Sequence, residues 1–180
     1  MNRAILLDRD GTLNYDSKEY VKGVDEFELF DFTPQAIKNM KEKGFLIIVI
    51  TNQSGIARGY FTETELDKMH TAMKQEVEKF GGEIDDIFYC PHHPDDNCKC
   101  RKPGTKNIKK AAKKFDLDLS NSYFIGDSKK DIQAGAKEDC KTVFVNTGIQ
   151  DYTEQEIEKW RIKPDFIFQD ILEFTHEVLM

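Results

Sequence analysis

A chain of 180 residues that is 39% apolar and 11% aromatic carries enough hydrophobic material for a globular core, which excludes a disordered or fibrous protein. Its formal charge of −7 excludes broad binding to nucleic acid or to an anionic membrane surface, and no apolar run approaches the length of a membrane span. Met1-Asn2-Arg3 leads directly into a short apolar strand and then an aspartate, without the apolar stretch of a signal peptide, so a cytoplasmic location is expected.

Ala4–Leu7 is an all-apolar strand, the pattern of a parallel sheet covered on both faces. It runs into Asp8-Arg9-Asp10-Gly11-Thr12. Side chains alternate along an extended strand, so continuing that geometry puts Asp8 and Asp10 on one side and points Arg9 away. Two carboxylates crowded at the mouth of a sheet need a cation or a shared proton to relieve their repulsion. The arrangement suits a magnesium ion, one nucleophilic carboxylate and one acid/base carboxylate. Gly11 and Thr12 then turn the chain off the strand. Residues 14–31 are polar and irregular, with a few aromatics, and are expected to fold over the mouth of this strand. Thr33-Pro34 opens a helix with Thr33 as N-cap; Ala36, Ile37 and Met40 form its apolar face, and Gly44 ends it.

Phe45–Ile50 is a second buried strand, ending at Thr51-Asn52-Gln53-Ser54-Gly55. Thr62 caps a long helix on which Leu66, Met69, Met73, Val77 and Phe80 recur at helical spacing, and His70 on it is a satisfied or solvent-facing histidine. A third strand, Ile84–Tyr89, leads into Cys90. Gly104–Phe115 is a basic amphipathic helix with a solvated lysine face. Tyr123–Ile125 is a fourth strand, ending at Gly126-Asp127-Ser128; a short helix begins at Ile132–Ala136. Thr142–Val145 is a fifth strand, Glu154–Trp160 a helix, Phe166–Phe168 an edge strand and Ile171–Leu179 a closing helix. This alternation predicts an α/β fold: an open, doubly wound, mostly parallel sheet with helices on both faces, one domain over residues 1–180 without a large cap, and a site at the carboxyl ends of the strands.

Asp8, Thr51, the Arg101-Lys102 pair and Asp127 all fall at or just past strand ends, which such a fold gathers into one crevice. A second constellation lies at residues 90–100. Three of the four cysteines fall within eleven residues beside two histidines, which in a reducing compartment indicates a metal and not a disulfide. Cys90, one of His92 and His93, Cys98 and Cys100 make a Cys₃His set, a composition used for closed tetrahedral zinc. The intervening residues offer little core of their own, and a metal would replace it. Cys140 is most simply a small buried thiol.

Taken in chain order, Asp8-Arg9-Asp10-Gly11-Thr12, Ile50-Thr51-Asn52, Lys102, and Gly126-Asp127 with Asp131 resemble the four motifs of the haloacid dehalogenase (HAD) superfamily of phosphohydrolases. The resemblance implies that Asp8 attacks phosphorus to form an aspartyl-phosphate, and that Asp10 protonates the leaving alkoxide and later takes a proton from water. It implies a magnesium ion held by the Asp8 carboxylate, the Asp10 carbonyl and Asp127, with Thr51 and Lys102 holding phosphoryl oxygens and Asp131 orienting its neighbours.

Cys90-Pro-His-His, the closing Cys98-Lys-Cys-Arg-Lys-Pro run and Thr51–Gly59 further resemble the branch holding heptose bisphosphate and histidinol-phosphate phosphatases. That branch implies His92 as the zinc-ligating histidine and substrate contacts from Asn52, Gln53, Ser54, Arg58, Arg101, Lys102 and Ser128. Only five residues separate His92 from Cys98, a short loop for the heptose enzymes. The expected activity is that of a monomeric phosphatase acting on a small-molecule phosphate ester, with a heptose bisphosphate ahead of histidinol phosphate. A non-catalytic phosphate- or metal-binding module would not need both a nucleophile and a proton shuttle.

Overall fold

In the computed structural model, which describes residues 1–180, the apolar runs pair into a six-stranded sheet of order β3-β2-β1-β4-β5-β6, parallel throughout. The strands are β1 (Ala4–Leu7), β2 (Leu46–Asn52), β3 (Asp86–Cys90), β4 (Tyr123–Gly126), β5 (Lys141–Val145) and β6 (Phe166–Phe168). All four residues of β1 are buried, because helices cover both faces of the central strands. Helices α1 (Thr33–Glu42) and α2 (Glu63–Lys79) and the C-terminal α6 (Ile171–Phe174) pack Met40, Met73, Val77 and Phe174 against Ile5, Leu7 and Val49. On the other face α3 (Lys106–Phe115) and α4 (Lys129–Lys137) pack Ile108, Ala111 and Ala134 against Leu6, Ile48 and Phe124. The winding direction reverses between β1 and β4. The carboxyl ends of these two central strands therefore stand side by side with no crossover above them, where ligands bind in such sheets.

The departures from sequence expectation have local causes. β2 runs two residues past Ile50 because Thr51 and Asn52 still pair with Tyr89 and Cys90 of β3. Thr33 does not cap α1; Phe32 does, and the Thr33 hydroxyl donates instead to the Leu13 carbonyl at 2.7 Å. α3 begins at Lys106, because the Gly104 amide is spent on a turn to the Arg101 carbonyl. The helix expected over 154–160 is the short α5 (Glu154–Ile157), after which the chain turns to seat Trp160 edge-on against Phe144 and Tyr152. Phe80 falls past the end of α2 and is exposed, whereas His70 is buried in it. The tail after Phe174 widens into a π turn over Thr175–Leu179. Residues 14–31 do fold over the mouth of β1: Asn14 bridges to Leu29, and the Tyr15 amide donates to the Glu28 carbonyl. No helix is long and apolar enough to cross a membrane.

Candidate active site

The Asp8 amide still donates to Ile125 of β4, so Asp8 is held as if the strand continued. The strand then stops. The Arg9 carbonyl accepts from the Thr12 and Leu13 amides, and Gly11 takes φ +77° to complete the turn. Arg9 consequently does not point away, contrary to the alternation expected from the sequence. It is 1% exposed and folds back onto Asp10, with Nη2 at 2.7 and 3.0 Å from the two carboxylate oxygens and Nε at 3.1 Å. Asn14 Nδ2 (2.9 Å) and Gln53 Nε2 (2.8 Å) complete the grip. Burial works against the Asp10 carboxylate, but Arg9, Asn14 and Gln53 outweigh it and hold the group below its usual range.

Asp8 faces a different set of partners. Lys102 Nζ lies 2.7 Å from Asp8 Oδ1 and 2.7 Å from Asp131 Oδ1, and both Lys102 and Asp131 are buried. Asp8, Asp127 and Asp131 each offer a carboxylate oxygen within 4.8 Å of the others. Three carboxylates around one ammonium leave excess negative charge in a dry place. Burial, then Asp131, pushes Asp8 up to about 7 against the pull of Lys102. Burial, then Asp131 and Asp8, raises Asp127 well above its ordinary value. Burial alone would lower Lys102; Asp131 and Asp8 outweigh it and raise it. An all-oxygen donor set with surplus negative charge fits a hard divalent cation, which would relieve this repulsion.

Two glycines make room for Asp127. A methyl at Gly11 would stand 2.6 Å from Asp127 Oδ2, and one at Gly148 would overlap the same oxygen. The neighbouring Thr147 hydroxyl donates to the Gly11 carbonyl at 2.6 Å, tying the end of β5 to the turn after β1. The sequence reading missed Thr147-Gly148, although the junction after β5 has the same strand-to-turn character as Gly126-Asp127.

The end of β2 positions the rest. Asn52 lines the crevice and also ties down the lysine: its Oδ1 accepts from the Lys102 amide at 2.9 Å and its Nδ2 donates to the Lys102 carbonyl at 3.3 Å. Thr51 is 1% exposed, and its hydroxyl accepts from Gln53 Nε2 at 2.9 Å. Asp8, Asp10, Ser54, Arg101, Asp127 and Ser128 line one cavity of about 830 Å³; Lys102 and Thr51 are outside that lining and touch it through Asp8 and Gln53. Asp16 lines it too, its carboxyl pushed up to about 6 by burial and by Asp10. Asp131 belongs to the carboxylate cluster, and its Oδ2 accepts from the Ser128 amide and hydroxyl at the start of α4. Arg58 is exposed and outside the cavity wall.

The second constellation also closes. The Sγ atoms of Cys90, Cys98 and Cys100 and the Nδ1 of His92 approach one another at 3.2–3.5 Å, and no disulfide forms. The ligand edge of a tetrahedral zinc–thiolate site is about 3.8 Å, from Zn–S near 2.3 Å, so four convergent donors of this chemistry fit the metal. His93 is occupied elsewhere: its Nδ1 accepts from the Asp95 amide at 3.3 Å and its own amide donates to Asp96, capping the turn Pro94–Asp96. Cys100 is covalently followed by Arg101 and Lys102, so this cluster anchors the loop that delivers both cations.

A family model described as HAD-hydrolase-like matches residues 99–174. The D-glycero-beta-D-manno-heptose-1,7-bisphosphate 7-phosphatase of Pseudomonas aeruginosa is 43% identical over 149 residues, 82% of this chain and 84% of that protein. The protein of the same name from Pseudomonas putida is 37% identical over 98% of this chain and 99% of its own. The crystal structure of D,D-heptose 1,7-bisphosphate phosphatase from B. bronchiseptica, complexed with magnesium and phosphate, superposes with a TM-score of 0.90 at 35% identity, covering 98% of each chain.

Proposed function

The chain belongs to the HAD-like phosphatases, in the family of the D-glycero-beta-D-manno-heptose-1,7-bisphosphate 7-phosphatases; from that membership we propose that it hydrolyses the 7-phosphate of D-glycero-beta-D-manno-heptose 1,7-bisphosphate through an aspartyl-phosphate on Asp8. One observation carries the reading: the Asp8 carboxylate stands at the tip of β1, 2.7 Å from the Lys102 ammonium and beside Asp127.

In the proposed reaction an Asp8 oxygen forms a bond to phosphorus as the bond to the sugar oxygen breaks, and Asp10, which must first take up a proton from solvent against the grip of Arg9, Asn14 and Gln53, gives that proton to the sugar oxygen. Asp10, ionised again, takes a proton from the water that cleaves the acyl phosphate. Its grip by Arg9, Asn14 and Gln53 favours the ionised state that this second step needs. Lys102 neutralises Asp8 and, with the Thr51 hydroxyl, holds non-bridging phosphoryl oxygens. Magnesium held by Asp8, the Asp10 carbonyl and Asp127 would supply the positive charge that lets a carboxylate and a phosphate dianion approach. Zinc on Cys90, His92, Cys98 and Cys100 would be structural, since four protein ligands leave no open position.

Of the acidic residues that would favour a cationic leaving group such as histidinol, Asp16 lines the cavity, while Glu19, Asp95 and Asp96 do not. Arg101, Lys129 and Lys130 in the wall favour a second phosphate. Kinetics on the heptose bisphosphate and on histidinol phosphate, with Asp8→Asn as control, test the proposal. The heptose substrate should be preferred and Asp8→Asn should lower turnover by at least about 10³; phosphate release by Asp8→Asn at the native rate would overturn it.

A further inference from the structure

Gln53 touches both the acid/base carboxylate and the hydroxyl beside the phosphoryl pocket. Its Nε2 carries two hydrogens and faces two acceptors, Asp10 Oδ2 at 2.8 Å and Thr51 Oγ1 at 2.9 Å. Its Oε1 faces a donor, Arg9 Nη2, at 3.5 Å. Acceptors on one side and a donor on the other leave the amide a single orientation. Gln53 is 4% exposed, so bulk water does not compete for these bonds.

A threonine hydroxyl has one proton and two lone pairs. At Thr51 a lone pair receives the Gln53 N–H, and an amide nitrogen accepts nothing in return. This is the hydroxyl's one hydrogen bond in the chain, and the residue is 1% exposed. The Thr51 proton is therefore unspent, and it is barred from pointing at Gln53. We propose that Gln53 is a positioning residue that fixes the Thr51 hydroxyl with its proton turned toward a phosphoryl oxygen. A donor aimed before the substrate arrives needs no reorganisation as charge builds on the transferring group, which is where such bonds act most strongly. The same amide bridges the end of β2 to the turn after β1, so the orientation is inherited from two elements of the scaffold and not from the substrate.

The inference rests on reading Thr51 as the hydroxyl that meets the phosphoryl group, and a double-mutant cycle separates the two. Phosphate release from the heptose bisphosphate is measured at saturating magnesium for wild type, Thr51→Val, Gln53→Leu and the double variant. Thr51→Val should lower kcat by about 10²-fold, the loss typical of one preorganised donor. Gln53→Leu should lower kcat by roughly tenfold or more with little change in KM, because the lost bond strengthens in the transition state. In the Thr51→Val background the same substitution should cost several-fold less, the remainder being the lost bond to Asp10, since the proton it orients is gone. An equal factor in both backgrounds would overturn this inference alone. Native activity in Thr51→Val would overturn it together with the role of Thr51. If Gln53→Leu fails to fold, Gln53→Met, closer in shape and likewise without an N–H, replaces it, and its loss should likewise shrink in the Thr51→Val background.

Discussion

Replacing Lys102 with methionine keeps the volume of the side chain and removes its charge. Lys102 is 2% exposed and lies 2.7 Å from both Asp8 and Asp131, the latter fully buried. Deleting one partner of a buried ion pair costs about 3–5 kcal/mol, because the charges left behind have no compensation. Here two carboxylates lose their counter-ion at once, so the upper part of that range applies. Unfolding entropy of about 2.1 cal/mol/K per residue over 180 residues converts about 4–5 kcal/mol into a Tm decrease of about 11–13 °C. Calorimetry or thermal circular dichroism in magnesium-free buffer reads this directly. Saturating magnesium should recover part of the loss, since a cation bound at the carboxylates does electrostatically what the ammonium did. Adding Asp131→Asn to Lys102→Met should also recover about 1–3 kcal/mol by removing one stranded charge. A Lys102→Met protein that melts within a degree or two of wild type without magnesium would refute the account of the site as an over-negative cluster held by one cation.

Cys98→Ser with Cys100→Ser should abolish bound zinc by elemental analysis and lower stability and turnover together, because the same loop carries Arg101 and Lys102; unchanged kinetics in the zinc-free variant would separate the metal from the active site. Gly148→Ala should reduce kcat by about 10²-fold while the protein still folds, because the added methyl overlaps Asp127 Oδ2 and a shift near 1 Å suffices for such a loss. His70 sets an acid limit. Burial, then Arg9, lowers it to about 3; Asp10 and Lys74 are the other charges acting on it, and the Tyr89 ring lies 6.1 Å away. Below its ordinary value of 6.5 the unfolded chain takes up a proton that the folded one refuses. Its contribution is therefore complete above that pH and is lost as pH falls toward 3, at up to about 1.4 kcal/mol per pH unit. Urea denaturation should show His70→Gln losing about 2 kcal/mol less than wild type between pH 6.5 and 4.5, and parallel curves would contradict this.

The sheet was legible because Ala4–Leu7, Phe45–Ile50 and Tyr123–Ile125 are apolar on both faces, and the crevice followed from Asp8 and Asp127 closing two such runs. The cysteine set was legible from spacing and composition, but local sequence gave no means of choosing between two adjacent histidines. That choice depends on Pro94–Asp96 forming a turn that employs His93 as its cap. The direction of Arg9 was hidden for a similar reason. Alternation holds only while the strand lasts, and the Arg9 carbonyl ends it by accepting from Thr12 and Leu13. Asn52 lines the cavity, as its place after Thr51 suggested, but its hold on a backbone segment 50 residues away is something no local pattern reveals. Gly148 and Trp160 act through tertiary neighbours, Asp127 and Phe144, and carry little signal of their own.

The pairing of Asn52 with the peptide of Lys102 has an implication for how this architecture tolerates change. A carboxamide that offers one donor and one acceptor to a passing backbone acts as a borrowed strand of one residue. It indexes the lysine to the sheet, not to the length of chain that precedes it. The segment from His92 to Cys98 is thereby released from metric duty: residues could be inserted or deleted between the two ligands while the ammonium stays where it is. Metal loop and reaction centre are adjacent in sequence, yet the lysine keeps a tether to the sheet that does not depend on how long that loop is.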